Sequence, residues 1–116
     1  MTKSFSNLQI DSERLWGTIH ETARFGATPK GGVRRLTLGE EDKQARDWFR
    51  AACEAAGCEV HVDALGTMFA LRPGRDMTKP PLGIGSHLDT QPTGGKYDGV
   101  LGTLAALEVV RTLNAA

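Results

Sequence analysis

The sequence predicts an α/β or α+β fold in which helices pack on a small sheet. In three segments apolar residues recur at helical spacing, and after the second of these they alternate with polar residues, as in a half-buried strand. The elements follow the order helix, helix, three short strands, helix. A chain of 116 residues can form one domain with its own core. The order of the strands in the sheet does not follow from the pattern.

Three helices are predicted from their periodicity and end signals. The first begins at Asp11, whose side chain can cap it, and Gly26 is its expected stop. The second has three acids in its first turn, Glu40–Asp42, where the helix dipole favours negative charge, and it ends at Gly57. The third begins at Val100 and is apolar on most of its surface, which is typical of a buried helix.

Three strands are predicted between the second and third helices. Val60 and Val62 alternate with polar residues in the first, and the second covers about Thr67–Leu71. The apolar run Leu82–Ser86 indicates a third, buried strand. The chain ends at Ala116, directly after its most apolar helix, so we expect that helix to pack against surface beyond this sequence.

Composition excludes several classes of partner. The 14 basic and 14 acidic residues balance and are scattered, which predicts no nucleic-acid or membrane binding. No apolar run approaches the roughly 20 residues of a membrane span. The polar segment Met1–Gln9 lacks a secretory signal, which favours the cytoplasm. Cys53 and Cys58 lack the spacing of a C-x-x-C motif, and we expect packed thiols rather than a disulfide or metal site.

The segment Ser86–Thr90, with the glycine loop Gly94–Gly99 after it, carries the candidate chemistry. Two residues apart on an extended chain, His87 and Asp89 project from the same face, so Asp89 could orient the ring. Glycines let the loop return, which could bring Asp98 beside His87. One carboxylate bridging two ions about 3.5–4 Å apart is common in metallohydrolases.

Structural explanations exist for each of these residues, and His87 taken alone is a loop histidine of a kind that mostly binds nothing. Asp89 could stabilise a turn, and Asp98 could cap the last helix. The pattern His-x-Asp recurs as His61 and Asp63, which we interpret as a solvated strand face. His20 has no acidic or histidine partner at a useful spacing and is not expected to bind metal.

The motifs together resemble a known family, the M20-type metallohydrolases. The closer resemblance is to the branch of N-carbamoyl-L-amino acid hydrolases, β-ureidopropionase-like enzymes and allantoate amidohydrolases. It covers about Ile10 to Leu113, and Thr67 departs from it, since that branch commonly has asparagine there. The segments that carry the resemblance are SHLDT, GGKYDGVLGTLAALEV and the upstream stretch ARFGATPKGGVRRLTLGEEDKQARDWFRAACEAAGCEVHVDALGTMFALRPG.

The resemblance implies a role for each residue of the candidate site. His87 would bind one metal ion, Asp98 would bridge two ions, and Asp89 would stand behind His87. Two divalent ions are implied, with zinc expected and manganese, cobalt or nickel able to use the same ligands. The family places a glutamate pair and further histidines later in its chains. Glu108 is no substitute, because it lies in the middle of the last helix.

The resemblance also implies an activity. Residues 1–116 would be the N-terminal part of the metal-binding catalytic domain, with a mixed sheet and helices packed on it, in an enzyme that hydrolyses the C–N bond of carbamoyl or ureido compounds. The implied partners are a small-molecule substrate and a second copy of the full-length protein. Alone, this stretch is expected to be inactive. The alternatives are an aminoacylase or peptidase of the same superfamily, and a non-catalytic metal-binding remnant.

Overall fold

The computed structural model describes residues 7–116, and the α/β prediction is confirmed. Of the polar N-terminal segment, residues 1–6 lie outside the described part. Helix α2 packs on a two-stranded sheet, and α3 packs against α1. The elements are α1 (Ser12–Thr22), α2 (Glu40–Ala55), β1 (Glu59–Val62), β2 (Met68–Leu71) and α3 (Val100–Ala115).

The ends of α1 and α2 follow mostly from local signals. Asp11 caps α1 as predicted, because its carboxylate accepts a hydrogen bond from the Arg14 amide at 2.9 Å. Gly57, with φ +84°, follows α2 in the left-handed conformation. The expected stop at Gly26 is wrong, since α1 ends at Thr22. The chain turns there, and the buried guanidinium of Arg35 donates hydrogen bonds to the carbonyls of Thr22 and Phe25.

The sheet is a single antiparallel hairpin in which Val60 faces Ala70. Its turn is held by Asp63, whose carboxylate accepts hydrogen bonds from the amides of Leu65 and Thr67 at 2.9 Å each. Asp63 therefore stabilises the hairpin turn. Thr67, which departs from the family pattern, donates its hydrogen bond to Asp63 from the backbone amide.

The third predicted strand, Leu82–Ser86, does not form. The segment has no regular secondary structure, and Leu82 is 88% exposed. A strand needs a neighbour to accept its backbone hydrogen bonds, and among residues 7–116 none lies beside this segment. The mixed sheet is likewise not seen in the described part, where the one sheet is antiparallel.

The core consists of two clusters between the helices. Ile19, Val100 and Leu104 join α1 to α3, and Cys53, Cys58 and Leu107 join α2 to α3. Both cysteines are free and buried, so the prediction of packed thiols is confirmed. Burial raises the pKa of Cys53 to about 12, which keeps it protonated and unreactive at neutral pH. No helix in the described part of the chain is long and apolar enough to cross a membrane.

A half-buried ion pair joins α1 to α3. Glu108, only 1% exposed, accepts hydrogen bonds from Arg14 Nε at 2.9 Å and Nη2 at 2.6 Å. It also accepts one from the backbone amide of Asp11 at 3.0 Å. The Arg14 hydrogen bond is the main cause that lowers the pKa of Glu108 below its ordinary value. The carboxylate of Glu108 therefore holds α1 and α3 together.

This ion pair predicts a loss of stability in acid. Since the folded-state pKa of Glu108 is depressed, its contribution is present above the unfolded pKa, near 4.5, and is lost as pH falls through the folded value. Glu108→Gln should lower the free energy of unfolding at pH 7 by roughly 2 kcal/mol and flatten its decline below pH 4.5. Urea unfolding at several pH values measures both effects. Glu54→Gln, in the exposed pair with Arg50, is the control. Equal acid slopes for wild type and Glu108→Gln would contradict this assignment.

Candidate metal centre

The ring of His87 lies between two carboxylates. Its Nδ1 is 3.2 Å from Asp89 Oδ1 and 3.0 Å from the Asp89 backbone oxygen, and its Nε2 is 3.8 Å from Asp98 Oδ2. Nδ1 faces two acceptors, so the neutral ring carries its proton there. Nε2 is then left without a proton, which is the form in which an imidazole nitrogen binds a metal ion. The structure therefore brings together all three residues singled out from the sequence.

Asp98 is not the cap of α3. The cap is Gly99, and no side chain completes it. The Asp98 backbone carbonyl accepts from the Val100 amide at 2.8 Å, while its side chain is 83% exposed. The capping explanation for Asp98 is thus wrong, and its carboxylate remains accessible beside His87.

Glycine lets the start of α3 lie directly on the His87 ring. At Gly99, φ is +73°, and an added Cβ would lie 2.3–2.5 Å from three atoms of the imidazole. At Gly102 an added Cβ would lie 2.8 Å from the Cβ of Ser86. Thr103 Oγ1 also donates to the His87 carbonyl at 3.4 Å. We call Ser86–Thr90 the histidine segment. It therefore packs against α3 through both the backbone and the ring of His87.

A buried arginine holds the same segment from the other side. Arg35, 1% exposed, donates from Nε to the Leu88 carbonyl at 2.8 Å. Its Nη1 donates to the carbonyls of Thr22 at 2.9 Å and Phe25 at 2.8 Å. Burial is the largest influence and lowers the pKa of Arg35, although an arginine stays charged at neutral pH. Nothing in the sequence distinguishes Arg35 from its neighbour Arg34, and sequence analysis missed it.

Hydrogen bonds join the chain around Arg35 to the end of the histidine segment and the loop that follows it. Val33 and Gly94 exchange backbone hydrogen bonds at 2.9 and 3.1 Å. Arg35 accepts from the Thr90 amide at 2.7 Å, and its own amide donates to Thr90 Oγ1 at 2.8 Å. Two residues further, Thr37 Oγ1 donates to Asp89 Oδ2. Thr37 was also missed, because its partner lies 52 residues away in the sequence.

The donors present fit part of a zinc-type site. Tetrahedral zinc with bonds of roughly 2.0–2.2 Å separates two ligand atoms by about 3.4 Å. The 3.8 Å between His87 Nε2 and Asp98 Oδ2 is close to this spacing, and the exposed Asp98 can close the difference by a small rotation. Within residues 7–116 no group of three or more histidines, cysteines or acids is arranged around a common metal position. The chain thus offers one nitrogen and one carboxylate.

The other two histidines lie outside this arrangement. His61 is exposed on β1 opposite Phe69, and its companion Asp63 holds the hairpin turn. His20 Nδ1 is 2.9 Å from the Trp16 carbonyl, one turn earlier in α1. His61 therefore provides a matched control for His87 in mutagenesis.

The contact between Gly99 and His87 can be tested directly. Gly99→Ala should lower the free energy of unfolding by more than about 1–2 kcal/mol, because the positive φ strains a residue with a side chain and the added Cβ overlaps the imidazole, and it should displace the ring. Thermal unfolding and the NMR signals of the His87 imidazole report the two effects. Gly95→Ala is the control, since an added Cβ there meets no atom within 4 Å. Unchanged His87 signals in Gly99→Ala would refute the close contact.

Comparison with known proteins identifies relatives of the whole described fold. No family model matches the chain. An N-carbamoyl-L-amino-acid amidohydrolase of Rhizobium meliloti is 51% identical over 108 residues, which are 93% of this chain and 26% of the relative. A ureidoglycolate hydrolase of Arabidopsis thaliana is 35% identical, over 93% of this chain and 23% of its own length.

A solved structure gives the same result in three dimensions. A hydantoinase/carbamoylase family amidase from Burkholderia ambifaria superposes with a TM-score of 0.92 at 57% identity, covering 93% of this chain and 27% of that protein. The chain therefore spans about a quarter of the length of these relatives. Along that segment it is homologous to the family of N-carbamoyl-L-amino-acid amidohydrolases, ureidoglycolate hydrolases and hydantoinase/carbamoylase amidases.

Proposed function

We propose that this chain contributes metal ligands to a hydrolase that cleaves the C–N bond of N-carbamoyl amino acids or related ureido compounds. One observation carries the proposal: His87 Nε2 faces the accessible carboxylate of Asp98 at 3.8 Å, on a scaffold shared with amidohydrolases. Because the chain spans only about a quarter of its relatives, the proposed activity belongs to a site that further residues complete.

Each residue has a separate task in this proposal. His87 would hold one ion through Nε2, and the carboxylate of Asp98 would be the ligand shared with a second ion. The backbone oxygen of Asp89 accepts a hydrogen bond from His87 Nδ1, and the Asp89 carboxylate lies 3.2 Å from the same nitrogen; together they would fix the tautomer and the orientation of the ring. Zinc suits one imidazole and one carboxylate, and manganese, cobalt or nickel could use the same atoms. When bound, such ions lower the pKa of a coordinated water and polarise a substrate carbonyl.

The substrate class is proposed from the relatives. The names of two relatives refer to N-carbamoyl-L-amino acids and to ureidoglycolate, which share a urea-type C–N bond. The site residues of this chain face the proposed metal position and do not distinguish these substrates. Two buried free thiols are typical of a reducing compartment, which favours the cytoplasm as the place of action.

A chimeric enzyme tests the proposal. Residues 7–116, grafted in place of the matching segment of the Rhizobium meliloti relative, should yield an N-carbamoyl-L-amino acid hydrolase that chelators inactivate and zinc or manganese restores. His87→Ala in the graft should lower kcat/KM by more than about 100-fold, since residues behind a metal ligand are already worth 10–100-fold. The ungrafted chain should show no turnover, because it carries only two of the proposed ligands.

Two controls make the result decisive. His61→Ala removes the histidine of the second His-x-Asp pattern, and it should leave kcat/KM within about threefold of the unmutated graft. Circular dichroism checks that both variants fold. Full activity in His87→Ala, or hydrolysis that chelators do not affect, would contradict the proposed metal role.

A further inference from the structure

We propose that Thr37 is a positioning residue of this site: it holds the Asp89 carboxylate in the orientation that faces His87. The inference rests on the proposed function, since it assigns Thr37 a role behind the metal ligand. It concerns a residue outside the His-x-Asp motif, in a loop that precedes α2.

The two oxygens of Asp89 have different partners. Oδ2 accepts a hydrogen bond from Thr37 Oγ1, and Oδ1 lies 3.2 Å from His87 Nδ1. The Asp89 side chain is 38% exposed, so water competes for both oxygens and the carboxylate would otherwise rotate. The hydrogen bond from Thr37, on the oxygen that does not face His87, restricts that rotation. Thr37 therefore keeps Oδ1 directed at the ring.

Thr37 is itself held by a strained turn. Leu38 has φ +67°, which costs a residue with a side chain about 1–2 kcal/mol, and its side chain is 95% exposed. Two hydrogen bonds of 3.0 Å maintain the turn, from the Leu38 amide to Asp42 Oδ2 and from the Gly39 amide to the Leu36 carbonyl. Burial of Leu38 does not offset the strain. The turn presents Thr37 to Asp89 immediately before α2 begins.

The backbones that carry Thr37 and Asp89 are also fixed to each other. The bonds between Arg35 and Thr90, at 2.7 and 2.8 Å, lie two residues before Thr37 and one after Asp89. Arg35 Nε further holds the carbonyl of Leu88, the residue before Asp89. The hydroxyl and the carboxylate thus meet between two anchored backbones, which suits a positioning contact.

Substitution of Thr37 separates its hydroxyl from its shape. Thr37→Val removes the donor and keeps the branched side chain, while Thr37→Ser keeps the donor. Thr78→Val is the matched control, because Thr78 Oγ1 donates to the carboxylate of Asp76, in an exposed turn that contributes nothing to the proposed site.

Two measurements test the inference, one on the 116-residue chain and one on the chimera with the Rhizobium meliloti relative. In the metal-free 116-residue chain, side-chain NMR couplings should show one χ1 rotamer of Asp89 in wild type, Thr37→Ser and Thr78→Val, and averaged rotamers in Thr37→Val. Zinc titration of the same variants in the chimera should give a dissociation constant about 10-fold higher in Thr37→Val, and an unchanged one in the other two variants. Backbone amide spectra confirm that all variants are folded.

The rotamer result decides this inference independently of zinc. A single Asp89 rotamer in Thr37→Val would overturn it, and so would averaged rotamers in wild type. If the chimera with the wild-type segment did not bind zinc while Thr37→Val released Asp89, the proposed metal role would fail and the positioning contact would stand.

Discussion

The buried guanidinium of Arg35 joins the parts of the chain that form the candidate site. It binds the carbonyls of Thr22 at the end of α1, Phe25 in the following turn and Leu88 in the histidine segment. Burying a charge is costly unless its hydrogen-bonding groups are satisfied. Here three carbonyls and the negative end of the α1 dipole compensate it. No buried polar side-chain atom in the described residues lacks a partner. Loss of Arg35 would leave three carbonyls without this donor and would release the histidine segment from α1.

The candidate site combines accessible side chains with a constrained backbone. His87 is half exposed and Asp98 largely exposed, so an ion and a substrate could reach both. Their positions are nevertheless set by close backbone packing, above all where Gly99 lies on the imidazole ring. A ligand near solvent would otherwise sample many rotamers. Three features limit that sampling in the metal-free chain. They are the close glycine contacts, the hydrogen bonds between Arg35 and Thr90, and the hydrogen bond from Thr37 to Asp89.

The sequence was informative where local chemistry decides the structure. The cap at Asp11, the left-handed Gly57 and the two paired strands all follow from signals within a few residues. His87, Asp89 and Asp98 were found because a motif and a glycine loop place them together. Arg35 and Thr37 were not found, since their partners in the site lie 53 and 52 residues away and nothing local marks them. The prediction of a strand at Leu82–Ser86 was wrong. A strand needs a neighbouring strand to pair with, and the apolar composition of a segment does not show whether one is present.

The central claim is that His87 and Asp98 hold one metal ion between them. The most direct test is anomalous X-ray diffraction at the zinc edge, from crystals of the Rhizobium meliloti chimera that carries residues 7–116, grown with zinc. The account predicts a peak roughly 2.0–2.2 Å from both His87 Nε2 and an Asp98 carboxylate oxygen, with Asp89 still beside Nδ1. Zinc bound at His61 or His20 instead, or no peak at His87, would contradict it.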